Sequence, residues 1–106
     1  MLAMKLVDQA GVRGGDAHAG RTETSLMLAI DPGVVRTEMA VAGRTEPLEV
    51  LLPRLRAEGV RPISSNGVLG DPRGASAAEG ESMLAAMTTE LADAVEARWP
   101  RPGSAT

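Results

Sequence analysis

Residues 14–32 read GGDAHAGRTETSLMLAIDP and hold a glycine-rich loop, the only histidine of the chain and the start of a helix. Glycines recur between residues 11 and 20, which predicts a loop. Thr22 is a candidate helix N-cap, with Glu23 in the first turn and apolar residues following at helical spacing. An Asp-Pro-Gly sequence at Asp31 ends the pattern, because proline lacks an N–H and disfavours helix in the residue before it.

A short strand and a second helix are predicted farther along the chain. Residues 34–42 alternate weakly between apolar and polar side chains, which favours a strand. Pro47 begins a leucine-rich helical stretch, and Gly59 stands where a C-cap would. Because Pro53 falls inside this stretch, we expect a kink or two short pieces. Residues 59–74 are rich in glycine, proline and serine and predict a loop.

The last helix has the clearest pattern. Ser76 and Glu79 form a capping box, in which each side chain accepts a hydrogen bond from the backbone N–H of the other. Pro100 ends the helix, and residues 100–106 are predicted to be a disordered tail. Apolar side chains at spacings of three and four make an amphipathic stripe: Leu84, Met87, Leu91, Val95 and Trp99.

The composition supplies little material for a hydrophobic core. The 106 residues suffice for one small domain, yet they include no Phe, no Tyr and a single Trp, Trp99. Large aromatic rings provide much of the apolar area in most cores. The chain is either a small helical domain, or its missing core belongs to an N-terminal half or to partner subunits. We favour the second interpretation.

Charge and hydropathy exclude several classes of partner. The net charge is −3, and the lysines and arginines are scattered, so we expect no nucleic-acid partner. The longest apolar run, residues 26–30, is far below the roughly 20 residues that span a bilayer, so we expect no membrane partner. No signal peptide is evident at the start, and no cysteine is present for a disulfide or a thiolate metal site. We therefore expect a soluble, cytoplasmic protein.

His18 and Glu23 are the candidate functional residues. Small neighbours leave the His18 imidazole accessible, and histidine acts as an acid, a base or a metal ligand near neutral pH. Glu23 lies in a predicted first helical turn, where the helix dipole keeps a carboxylate ionised, as a metal ligand requires. The alternatives are a solvent-exposed loop histidine and an ordinary helix-start glutamate.

Three blocks of the sequence resemble the creatininase family. Residues 18–32 look very much like its signature His-[Ala/Gly]-Gly-x-x-Glu-Thr-Ser, followed by an apolar helix and a proline. Residues 66–76 resemble the family's late loop, and residues 77–80 resemble the start of its final helix. The blocks stand in the family's order within residues 14–99. The lead-in at residues 14–18 is most similar to the branch that matures the mycofactocin precursor peptide, whose members remove a C-terminal dipeptide.

The resemblance implies an α/β layered fold, oligomeric assembly (often a hexamer) and a divalent metal, which is zinc, manganese or iron. His18 matches the family's histidine beside the metal centre, a catalytic residue that moves protons to the leaving nitrogen. Glu23 matches the glutamate of the Glu-Thr-Ser block, to which we assign metal binding or orientation of the site. These roles suit hydrolysis of an amide, in which an acid must protonate the departing amine.

Two motifs of the family are absent from this sequence. These are Glu-x-His-Gly, with an Asp some residues later, and Asn-Gly-His, and no second histidine replaces them. Residues 1–12 form a divergent start. We therefore expect the C-terminal portion of a creatininase-like fold, holding the divalent metal weakly when alone.

The first functional hypothesis is a metal-dependent peptidase fragment that depends on a complementing N-terminal half or on a homo-oligomer. The first alternative is a creatininase-like amidohydrolase that acts on a small cyclic amide or a formamide. Ala17 stands where true creatininases have a carboxylate, which favours a peptide substrate over creatinine. The second alternative is a non-catalytic remnant or assembly partner that packs through the last helix.

Overall fold

The computed structural model describes residues 16–103. The predicted divergent start at residues 1–12 lies outside the described residues, as do residues 104–106 of the predicted disordered tail. No helix of the described part combines the length and the apolar character needed to cross a membrane. Residues 16–103 contain three α-helices and two 3₁₀ turns: α1 (Arg21–Ile30), 3₁₀ turns at Pro32–Val34 and Thr37–Met39, α2 (Leu48–Glu58) and α3 (Ala77–Arg98).

All three predicted helices form, and their ends follow local sequence signals. α1 stops before Asp31, whose side chain accepts a hydrogen bond from the N–H of Gly33 at 3.2 Å. α2 ends at Gly59, which adopts a φ of +79° and donates its N–H to the carbonyl of Leu55 at 2.9 Å. This conformation favours glycine, so the predicted C-cap is confirmed. Pro53 lies inside α2, which runs as one helix rather than two.

The predicted strand at residues 34–42 is wrong. One 3₁₀ turn ends at Val34 and the other, Thr37–Met39, lies inside this region, and each closes local hydrogen bonds in place of strand pairing. Within residues 16–103 the structure is helical and contains no strand. The sheet of the expected α/β layered fold is therefore not found in the described part of the chain.

Three extended segments nevertheless pair in the manner of neighbouring strands. The backbone of Leu69 exchanges hydrogen bonds with His18, at 2.8 Å and 3.3 Å, in an antiparallel bridge. On the other side, Gly70 accepts from the N–H of Gly43 at 2.9 Å and Val68 accepts from the N–H of Arg44 at 3.1 Å. The successive residues Val68, Leu69 and Gly70 thus form hydrogen bonds on alternate sides, as in a sheet. This pairing fixes the backbone of the predicted late loop.

The hydrophobic core is small. The main cluster contains Leu51 from α2 with Ile63 and Leu69 from the loop, and Leu55 packs against it. Met83 on α3 is the remaining buried apolar side chain of the described residues. The outer end of the α3 stripe is exposed, since Trp99 remains 67% accessible. The expectation of a poorly filled core is confirmed for the described residues.

Helices α1 and α3 make the principal helix–helix contact of the described chain. A side chain on Gly80 would overlap the carbonyl of Ser25, so only glycine permits this approach. Ser25 is fully buried at the crossing and its hydroxyl accepts the N–H of Ser76 at 3.1 Å. A glycine that normally weakens a helix therefore serves here to bring two helices together.

Replacing Gly80 by alanine should destabilise the chain, although alanine is the better helix former by about 1 kcal/mol. The added methyl group meets the Ser25 carbonyl and forces the helices apart, at an expected net cost of about 1–3 kcal/mol. Urea unfolding followed by circular dichroism measures the change. Ser82→Ala, at an exposed position of the same helix, is the control and should stay within about 0.5 kcal/mol. A Gly80→Ala variant more stable than the native chain would contradict this account of the crossing.

Candidate functional site

A side chain from the preceding loop caps the N-terminus of α1. The Oδ2 atom of Asp16 accepts hydrogen bonds from the backbone N–H groups of Arg21 and Thr22, the latter at 3.3 Å. A carboxylate here satisfies N–H groups that have no partner within the helix and interacts favourably with the helix dipole. The helix begins at Arg21, with Gly20 as its N-cap residue, so the predicted cap at Thr22 is wrong.

Two glycines make room for the Asp16 carboxylate. A Cβ atom on Gly20 or on Gly70 would overlap the Asp16 side chain, and both glycines are buried. The carboxylate reaches the helix end only because neither residue has a side chain. The glycine-rich loop and the late loop, which are far apart in sequence, therefore fix each other at this point.

His18 lies in this doubly held loop. Its backbone pairs with the buried Leu69, while its side chain is 61% exposed. A rigid backbone combined with an accessible imidazole is what a proton-transferring histidine requires, since its ring must reach a substrate from a fixed position. The structure thus confirms the accessibility expected from the small neighbours.

The Glu23 carboxylate lies beside His18, on the first turn of α1. Its Oε2 atom accepts the backbone N–H of Ala19 at 2.7 Å and lies 3.7 Å from the Nδ1 atom of His18. Ala19 adopts a φ of +54°, a conformation that non-glycine residues rarely take. The Glu23 hydrogen bond therefore stabilises the turn that presents the histidine. The structure brings together both residues that the sequence singled out.

A second layer of contacts holds this turn against α3. The guanidinium of Arg21 donates two hydrogen bonds to the Glu79 carboxylate, at 2.8 Å and 2.7 Å. The buried Ser25 hydroxyl donates to the same carboxylate at 3.3 Å. Hydrogen bonds from Arg21, with its positive charge, hold the pKa of Glu79 below its ordinary value. The start of α1 is thereby tied to the start of α3.

One of the two hydrogen bonds of the predicted capping box forms. Ser76 accepts the backbone N–H of Glu79 at 3.1 Å, as predicted. The Glu79 side chain does not return to Ser76 but turns toward Arg21, which offers two donors and a positive charge. These partners are 58 residues apart in sequence, and no local pattern marks Arg21 as a partner of the last helix. Sequence reasoning therefore missed this pair.

The described residues do not complete a metal centre. His18 and Glu23 provide two donor side chains, and no group of three or more such residues is found within residues 16–103. A catalytic zinc site normally takes three protein ligands. The donors present therefore fit only part of the divalent metal site that the resemblance implies, and Asp16 is engaged in capping α1.

The comparison with known protein families covers the part of the chain that contains this site. The model of the creatininase family, described as creatinine amidohydrolase, matches residues 2–95. The chain therefore belongs to the creatininase family, whose members are metal-dependent hydrolases. No solved structure matches the chain.

Curated relatives point to one branch of this family. A mycofactocin precursor peptide peptidase of Mycobacterium tuberculosis strain H37Rv is 53% identical over 90 residues, which is 84% of this chain and 36% of the relative. The Mycolicibacterium smegmatis protein of the same name is 50% identical over 88 residues, or 83% of the chain and 35% of the relative. The chain thus spans little more than a third of the relatives it matches.

The Arg21–Glu79 pair should make stability depend on pH. Because the folded pKa of Glu79 is depressed, its contribution is complete above the unfolded pKa and is lost as pH falls through the folded value. We expect the urea midpoint to fall from about pH 5 to pH 3, and to fall less steeply in Glu79→Gln. Hydrogen bonds from Arg44 lower the pKa of Glu46 to about 2, so Glu46 contributes to the pH dependence of both proteins. Glu81→Gln is the matched control and should keep the native slope. Equal slopes for Glu79→Gln and the native chain would contradict a role for the pair.

The 106-residue chain should bind zinc weakly, because two neighbouring donors fall short of a catalytic ligand set. Isothermal titration calorimetry with zinc is the measurement. The expected result is no stoichiometric binding, with little difference between the native chain and a His18→Ala, Glu23→Gln double variant. Tight binding of one zinc per chain, lost in the double variant, would show that these two residues already form the core of a metal site.

Proposed function

We propose that the chain is the C-terminal part of a metal-dependent peptidase that removes a C-terminal dipeptide from the mycofactocin precursor peptide. The observation that carries the proposal is the juxtaposition of His18 and Glu23, 3.7 Å apart on a loop held from two sides. The names of relatives about half identical to the chain support the choice of a peptide substrate.

His18 is proposed to donate a proton to the departing nitrogen of the cleaved amide. An amide nitrogen leaves as a neutral amine only when an acid protonates it, and histidine serves this purpose near neutral pH. The accessible ring and the backbone bridge to Leu69 support this role, because they combine access with fixed position.

Glu23 is proposed to orient His18 and to contribute to metal binding. Its Oε2 atom faces the Ala19 N–H and the His18 ring. Its Oε1 atom has no hydrogen-bond partner among the described residues, which leaves that oxygen open to a cation. In a complete enzyme a bound divalent metal would activate water, and residues outside this chain would supply its remaining ligands.

The same reasoning predicts that the chain is inactive by itself. We propose that a complementing N-terminal half or a homo-oligomer supplies the missing ligands and covers the exposed apolar residues. Leu91 and Val95 on α3, with Trp99 just after it, are accessible and suited to such an interface.

Joining the chain to the N-terminal portion of the Mycobacterium tuberculosis relative should give a protein that releases a dipeptide from the precursor peptide. In this fusion His18→Ala should lower kcat by roughly 10²–10⁴-fold, since proton transfer is needed in the transition state. Glu23→Gln should lower activity in a way that excess divalent metal partly restores, because it removes a charged oxygen ligand while keeping the shape. Steady-state rates with metal titrated provide the measurement.

Glu81→Gln, an exposed glutamate on α3, is the matched control and should leave the rate unchanged. An active fusion whose rate is the same in all three variants would refute the roles of His18 and Glu23. That result would favour a non-catalytic, structural contribution through α3. Hydrolysis of creatinine or a formamide in place of the peptide would instead favour the small-amide alternative.

A further inference from the structure

A cleft of about 540 Å³ is lined by residues that neighbour the candidate site in sequence, although neither His18 nor Glu23 lines it. Thr24, the residue after Glu23 in α1, lines it, and so does Val68, which precedes the His18-bonded Leu69. Its volume lies within the roughly 300–1,000 Å³ typical of sites for small ligands. The segments that position His18 and Glu23 therefore also form part of this cleft. The proposed proton transfer does not involve the cleft.

The cleft combines apolar walls with positive charge. No aspartate or glutamate of the described residues lines it, whereas Arg36 and Arg73 do. Most of the remaining surface is apolar, and residues 35–41, which include the second 3₁₀ turn, contribute much of it. The large apolar side chains are Val35, Met39, Val41, Val68 and Pro72.

The two arginines differ in their partners. Arg73 donates to both carboxylate oxygens of Asp71, each at 2.9 Å, and this pairing neutralises its charge. Arg36 forms no ion pair or side-chain hydrogen bond with any residue of the described chain. Its backbone is held, since its carbonyl accepts the N–H of Met39 at 3.0 Å. The cleft therefore presents one guanidinium whose charge no neighbour balances.

We propose that this cleft binds the C-terminal residue of a peptide, with the terminal carboxylate on Arg36 and an apolar side chain against Val35, Met39 and Val68. The proposal rests on the proposed function and names how the substrate end is recognised. A guanidinium matches a carboxylate in a two-point geometry, and one unbalanced positive charge matches one negative charge.

A free phosphate fits this cleft less well. It carries up to two negative charges and no apolar part, so it leaves the walls uncovered. A C-terminal residue carries its carboxylate and its side chain on the same carbon, so a single residue meets both the cation and the apolar wall. Anchoring the end of the chain in this way would determine which peptide bond lies near His18.

The test is a titration of the ¹⁵N-labelled native chain with N-acetyl-Ala-Val-Leu and, separately, with its C-terminal amide, followed by amide chemical shifts. We expect the acid to bind about tenfold more tightly than the amide, with shifts at Arg36, Thr37 and Ala75. Arg36→Gln should bind the acid as weakly as the amide. Arg36→Lys, which keeps the charge without the planar fork, should fall between the two.

Arg61→Gln removes another exposed arginine, outside the cleft, and should keep the tenfold preference. Equal binding of acid and amide by the native chain would overturn the proposal, as would a preference that survives in Arg36→Gln. Absence of binding, or stronger shifts with inorganic phosphate than with the peptide acid, would also overturn it. The assay involves no hydrolysis, so an inactive fusion would refute the proposed function without touching this result. An active fusion with equal acid and amide binding would refute only the role of Arg36.

Discussion

The close crossing of α1 and α3 sets the position of the loop that carries His18. Because Gly80 has no side chain, the backbone of α3 reaches the carbonyl of Ser25, whose hydroxyl is buried at the contact. Glu79 then lies within reach of Arg21 on the first turn of α1. Packing determines the distance between the helices. The exposed ion pair adds little to stability, but its two-point geometry favours one rotation of the helices.

Polar and backbone contacts, rather than apolar packing, build the site on this framework. The Asp16 carboxylate closes the end of α1 in a space that Gly20 and Gly70 leave open, and the bridge to Leu69 holds the backbone of His18. A loop held in this way is stiff while its side chains stay exposed. Catalytic groups need this combination, because small displacements of a reacting group are costly in rate.

The small hydrophobic core and the open cleft can be considered together. Few apolar side chains are buried within residues 16–103, and the chain matches little more than a third of each relative. The exposed apolar side chains of α3 agree with the proposal that a larger assembly covers them. The cleft that Arg36 lines is proposed to extend the candidate site beyond the family signature.

The sequence by itself determined the features that depend on neighbours in the chain. Periodicity and caps predicted all three helices, Gly59 predicted the end of α2, and the family signature singled out His18 and Glu23. These signals act over one or two helical turns, where spacing alone decides which groups meet. The weak alternation at residues 34–42 led to a wrong strand prediction, because a strand needs a partner that the local pattern does not specify.

Only the tertiary structure decided which distant groups meet. It replaced Thr22 by Asp16 as the cap of α1, turned Glu79 from its capping box toward Arg21, and left Arg36 without a partner beside an apolar cleft. A carboxylate binds the donors that folding brings closest, and a two-point guanidinium outcompetes a single backbone N–H. The Arg21–Glu79 and Ser25–Ser76 contacts span more than 50 residues, and no local pattern in the chain encodes them.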